Sequence, residues 1–140
     1  MILLLVSLIA LVLSLLASWA ASGMSHPIIL IPGLLQLQLS YNAGIAFSIH
    51  IPSPFEEILI FSALAGVCIY AIRSKPTRLA SVGFGFIIGG AVANLLDRLP
   101  DGLVTDYVAV GTFPIFNAAD SCITIGVGIL LLDAWIHRKK

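Results

Sequence analysis

From Ile2 to Ala21 the chain carries no charged side chain. A run of about 20 apolar residues is what an α-helix needs to cross a hydrocarbon core of roughly 30 Å. Three further stretches have the same character: one from near Phe55 to near Ile72, one from Leu79 to about Leu96, and one from near Ala118 to Ile136. Charged residues make up 10% of the chain and apolar ones 59%, where a soluble domain has about 25% and 45–50%. Seven Lys+Arg balance seven Asp+Glu, so no basic surface exists to meet phosphates. Disordered chains, nucleic-acid binders and small soluble enzymes are excluded. What remains is one integral membrane domain over 1–140, with helices expected at about 2–21, 55–72, 79–97 and 118–136.

The first stretch reads as a span rather than a cleaved signal. No basic residue precedes it, and it exceeds the ~7–15 residues of a signal-peptide core. The basic residues then orient the chain. Arg73, Lys75 and Arg78 lie in one short loop and Arg138, Lys139 and Lys140 in the tail, whereas the loops 22–54 and 98–117 contain only Arg98. The positive-inside rule therefore predicts both termini in the cytoplasm and both long loops outside.

The first outer loop is patterned. Apolar and polar residues alternate from Leu35 to Asn42, and again as Ile45, Phe47 and Ile49 alternate with Ala46, Ser48 and His50. A period of two marks half-buried strands, and Asn42-Ala43-Gly44 supplies turn chemistry between them. The expectation is a small hairpin or sheet over about 28–50 at the outer membrane surface, leaning on the helices because two strands alone are marginal. Cys68 and Cys122 read as small apolar fillers. His26, His50 and His137 are scattered, and no metal site is expected.

Polar residues inside a membrane protein carry the functional information. Here they gather late in the chain: Asn94, Asp97 and Arg98 at the end of the third helix, Asp106 in the next loop, and Asn117 and Asp120 at the start of the fourth. Asn94, Asp97 and Arg98 share one helix face by spacing. Taken singly, each has a structural explanation. Asn117 would cap the fourth helix with Asp120 at its third position, Asp97 and Arg98 would pair, and Asp106 would be a solvated loop residue. Jointly, three acids and two amides meet on one rim of an almost uncharged protein. Gly89, Gly90, Ala91 and Ala93 allow another helix or a substrate close to the backbone there. Asp133, at the opposite end of the fourth helix, reads as a partner for the basic tail. Ser/His or Cys/His machinery is lacking, but two acids sharing a proton can act as general acid and general base, titrating as a unit. That chemistry suits hydrolysis of a peptide bond.

The blocks Asn42-Ala43-Gly44-Ile45-Ala46-Phe47-Ser48, Gly89 to Arg98, Val104-Thr105-Asp106-Tyr107 and Phe116-Asn117-Ala118-Ala119-Asp120, with the lead-in Ile31-Pro32-Gly33, resemble in order the signature blocks of lipoprotein signal peptidase (signal peptidase II). The resemblance covers roughly 28–136. It implies an all-α bacterial inner-membrane aspartic endopeptidase with four transmembrane helices. Such enzymes cut signal peptides from prolipoproteins just before a diacylglyceryl-modified cysteine. It further implies Asp106 and Asp120 as the catalytic pair, with Asp97 as competitor, and Asn42, Gly44, Asn94, Asp97, Arg98 and Asn117 lining or bracing the site. No metal or organic cofactor is implied, the partners are the prolipoprotein and membrane lipid, and the chain is expected to work as a monomer. The family's Asp-Gln and Lys near the outer end of the first helix are replaced by Ser18-Trp19-Ala20-Ala21-Ser22, its Gly-Asn by Ala93-Asn94, and its Val-Asp-Phe by Thr105-Asp106-Tyr107. The alternative from another class is a non-catalytic membrane protein that binds lipoproteins or serves transport or assembly.

Overall fold

The computed structural model describes residues 1–44 and 55–138. They form helices α1 (Ile2–Ser22), α2 (Phe55–Arg73), α3 (Arg78–Arg98) and α4 (Ala118–His137), and strands β1 (Ile28–Ile31), β2 (Leu35–Asn42) and β3 (Val104–Val110). Among the described residues, helices α1, α3 and α4 are long and apolar enough to cross a membrane, and α2 contributes a shorter apolar stretch, Ile58–Arg73. The outward faces confirm the solvent. Leu4, Leu13 and Trp19 of α1 and Leu131 and Trp135 of α4 are all more than 60% exposed, an arrangement water would not tolerate over so large an area. The protein is a membrane protein.

Without a hydrophobic drive between helices in lipid, close backbone approach must hold the bundle together. Helix α3 is the centre, packed on α1 and α4. Its Gly85 and Gly89, four residues apart, receive α1: a Cβ on Gly85 would lie 2.7 Å from that of Val6, and one on Gly89 would strike the Ser7 carbonyl and the Ala10 side chain. Facing them is a buried α1 stripe that includes Ala10, Ser14, Ser18 and Ala21. Gly83 and Gly126 do the same work between α3 and α4, and a Cβ on Gly90 would fall 2.5 Å from the Ala119 carbonyl oxygen. Gly89→Val should therefore lower stability by about 1–3 kcal/mol by forcing the backbones apart, read as a lower melting temperature in detergent. Gly66→Ala on α2, where a Cβ meets open space, should be neutral or slightly stabilising because Ala is the better helix former.

At the far end, Thr77 caps α3 by accepting from the Ala80 N–H at 3.0 Å and donates to Asp133 Oδ1 at 2.6 Å. His137 approaches the same carboxylate at 3.4 Å. Asp133 thus ties the end of α4 to the start of α3, rather than serving only the basic tail.

The small sheet expected over about 28–50 is present, and it takes a third strand from 104–110. Strand order is β1-β2-β3, antiparallel throughout, so β2 pairs with 28–31 and 104–110. The strand expected over 45–49 lies outside the described residues. Pro32 and Gly33 form the β1–β2 turn, with Gly33 at φ +73° and the Leu34 N–H donating to the Ile31 carbonyl at 3.0 Å. That is the positive φ a type II turn requires at its third residue. Strand β3 was expected as loop, although Val104, Thr105, Tyr107, Val108 and Val110 are strand formers. Its pairing with β2 contains an irregularity: Leu37 opposes Val108, but Ser40 opposes Asp106. Gln38 and Leu39 therefore share one opposite number, Tyr107. This extra residue brings Asn42 onto the same face as Asp106, because a one-residue slip in register turns every following side chain over.

Candidate active site

Each polar residue of the cluster is delivered by a separate local rule. Asp106 comes from β3 and is 3% exposed, so it is not the solvated loop residue its sequence context allowed. Asn117 is the N-cap of α4, and Asp120 is its third residue. The Asn117 side chain accepts from the Asp120 N–H at 2.9 Å, while Asp120 Oδ2 accepts from the Asn117 N–H at 3.2 Å, completing a capping box. Capping and site-building are not alternatives here, because the cap sets the position of the acid. Asn94 comes from the last turns of α3 and Asn42 from the end of β2.

One hydrogen-bond network joins these groups. Asn117 Nδ2 donates to Asp106 Oδ1 at 2.9 Å and to Asn94 Oδ1 at 3.1 Å. Asn94 Nδ2 donates to Asp120 Oδ1 at 2.8 Å, and Asn42 Nδ2 donates to Asp106 Oδ2 at 3.0 Å. Asn42 Oδ1 accepts from the Gly44 N–H at 2.9 Å, and the Gly44 carbonyl accepts from Arg98 Nη2 at 2.7 Å. Asn117 is 1% exposed and spends both amide hydrogens and its oxygen inside this network. Each of the four carboxylate oxygens of Asp106 and Asp120 accepts one of these bonds, so each acid keeps lone pairs for a proton or a water.

Both acids line a cavity of about 670 Å³, together with Asn42, Gly44, Asn94 and Arg98. Its walls are apolar and come from Ile60 of α2, Ala91 and Leu95 of α3, Ile123 of α4 and the segment Phe113–Phe116, where the two Phe rings meet edge to face at 5.9 Å. Asp97 does not line it. Although spacing groups Asp97 with Asn94 and Arg98, its oxygens turn to β3, accepting from the Thr105 N–H at 2.7 Å and from Thr105 Oγ1 at 3.3 Å. Arg98 likewise turns to Gly44. Ser121 and the wall residues Phe113 to Ile115 were not singled out in the sequence, and Thr105, Tyr107 and Phe116 stood there within the signature-like blocks without a site role. Tyr107, beside Asp106, carried the clearest signal.

Burial pushes the Asp106 pKa up from 3.8 to about 6, and the charges of Asp120 and Asp97 add to the rise, against the lowering hydrogen bonds from Asn42 and Asn117. A carboxyl whose folded pKa lies above its unfolded value binds more protons when folded, so stability falls as pH rises through that interval. Melting temperature should therefore decline between about pH 4 and pH 6 through this group, and the decline should shrink in Asp106→Asn. An equal slope in both proteins would remove Asp106 as its source. Two carboxylates so placed, one holding a proton and one without, can activate water and protonate a leaving group.

A family model described as signal peptidase (SPase) II matches residues 2–136. The lipoprotein signal peptidase of Shouchella clausii is 36% identical, covering 96% of this chain and 93% of that protein. That of Brevibacillus brevis is 42% identical over 79% of this chain and 77% of its own length. A solved structure described as a bacterial membrane enzyme superposes with TM-score 0.86 at 25% identity, covering 99% of this chain and 91% of the other.

Proposed function

The chain belongs to the signal peptidase II family, and on that premise we propose that it is an aspartic endopeptidase removing signal peptides from diacylglyceryl-modified prolipoproteins. Asp106 and Asp120 are its catalytic pair. The observation that carries this reading is that both acids line one cavity, bridged by Asn117 and walled by apolar side chains. Asp106, with its raised pKa, is the proton holder at the start, and Asp120 is the base. A water between them loses a proton to Asp120 and adds to the scissile carbonyl. Asp106 protonates the carbonyl oxygen; collapse then breaks the C–N bond as Asp120 passes its proton to the leaving amine and the hydroxyl proton returns to Asp106. Asn42, Asn94 and Asn117 hold the acids, Arg98 holds the backbone at Gly44, and Asp97 braces β3.

In this reading α2 is a fourth span, both termini are cytoplasmic by the distribution of Lys and Arg, and the sheet and cavity sit at the outer interface. The substrate arrives from the bilayer as a lipid-anchored segment. Anchoring fixes its depth, so positioning contributes to the rate. The protein works as a monomer, without metal or organic cofactor. The test is incubation of the detergent-solubilised protein with a diacylglyceryl prolipoprotein and with its unlipidated form. Shortening of the lipidated form alone is expected, whereas binding without shortening would favour the non-catalytic alternative.

A further inference from the structure

Besides the Asn117 Nδ2 bond to Asp106 Oδ1 at 2.9 Å, strand β3 and the start of helix α4 meet through two further attachments of different kinds. The first is backbone: the Tyr107 and Val108 N–H groups donate to the Phe116 carbonyl at 3.1 and 2.7 Å, and the Phe116 N–H returns to Val108 at 3.1 Å. The second is one side chain. The Tyr107 hydroxyl accepts from the Ala118 N–H at 3.0 Å, and Ala118 is the first residue of α4. The opening N–H groups of a helix have no partner within it. Here the Asn117 side chain satisfies the one at Asp120, and a tyrosine 11 positions upstream satisfies the one at Ala118. Tyr107 is 8% exposed, so this bond is shielded from water. The register irregularity in β2 lies opposite Tyr107.

We propose that Tyr107 is a positioning residue that holds Asp106 against Asp120 by anchoring the start of α4 with its hydroxyl. Asp106 is its chain neighbour on β3, and Asp120 lies two residues beyond Ala118. The backbone bonds at Phe116 and the Asn117 bond to Asp106 both lie ahead of the first residue of α4. The hydroxyl supplies a fixed point on the helix itself, at Ala118. This inference rests on the aspartic-peptidase reading for its consequence on rate, but its geometric content does not.

Tyr107→Phe removes the acceptor and keeps the ring. Turnover of the diacylglyceryl prolipoprotein should fall roughly tenfold with KM little changed, since a shielded N–H is left without a partner. Tyr41→Phe, an exposed tyrosine on β2, should change neither. A readout independent of cleavage is the titration of ¹³C-labelled aspartate carboxyls. The groups facing Asp106 are Asp120 from α4 and Asp97 and Arg98 from α3, while β2 presents the neutral Asn42. When Asp120 recedes and water enters, the Asp106 midpoint should fall by at least about half a pH unit toward the ordinary carboxylate range. Amide exchange at Ala118 should be slow in the unaltered protein and fast in the variant.

An unchanged carboxyl midpoint, or rapid Ala118 exchange in the unaltered protein, overturns the proposal. So does a variant with a lower melting temperature alone. If the unaltered protein cuts no prolipoprotein while the midpoint still moves in Tyr107→Phe, the peptidase reading fails and the positioning role stands.

Discussion

Asp106→Asn and Asp120→Asn are each expected to slow prolipoprotein cleavage by about 10³-fold or more, without loss of membrane insertion. Asparagine has nearly the same shape and keeps one acceptor oxygen, so Asp120→Asn can still serve the Asn117 N–H and Asp106→Asn can still accept from Asn117. Neither amide can take up or release a proton near neutral pH, and a positioned acid or base contributes about 10²–10⁴ in rate. Because the two groups act as a unit, the double variant should be little slower than either single one. Asp97→Asn provides the contrast. Its carboxylate holds Thr105 outside the cavity, so its loss should lower the melting temperature and cost only about tenfold in rate. Single-turnover conversion followed on a gel measures all four. Cleavage by Asp106→Asn comparable to the parent, or a loss in Asp97→Asn as deep as in the pair, would remove the proposed dyad.

Asn117 is the residue whose loss should disturb the largest number of groups. Asn117→Ala removes an N-cap, worth about 0.5–2 kcal/mol. It also strips partners from Asp106 Oδ1, Asn94 Oδ1 and the Asp120 N–H. Each buried group left unsatisfied costs about 1–3 kcal/mol, less where water from the cavity can reach it. A drop of several degrees in melting temperature and about 10²-fold in cleavage is expected. Asn117→Asp separates the two roles. Aspartate is as good a cap as asparagine, so α4 should start normally and the melting temperature should stay closer to the parent. However, a third carboxylate would replace the amide donor beside Asp106 and Asp120, and like charges cannot all ionise cheaply at that distance. Asn117→Asp should therefore be folded and inactive. An active Asn117→Asp would make the residue a cap alone.

Much of this was legible along the chain. The helical segments show in hydrophobic stretches of the length a bilayer demands, and Asn117 with Asp120 shows as a helix start. Strand β3 was missed because its strand formers surround Asp106 and sit in a loop otherwise rich in turn residues. Strand β1 falls inside the β element expected over about 28–50, although it is too short to show a periodic pattern of its own.

Local rules of the sequence determined which residues are helical, where α4 begins, that the chain lives in lipid, and which polar residues are anomalous there. Spacing alone could not separate Asp97 from Asp106, because it counts positions along one helix and knows nothing of the strand that crosses its end. The tertiary structure decided that. One extra residue in β2 turns Asn42 to the face of Asp106, glycine-lined contacts bring α4 against α3, and the cavity forms where α2, α3, α4, β2 and β3 converge. Such choices depend on pairings between residues far apart in the chain, whose energies exist only once the backbones are already close.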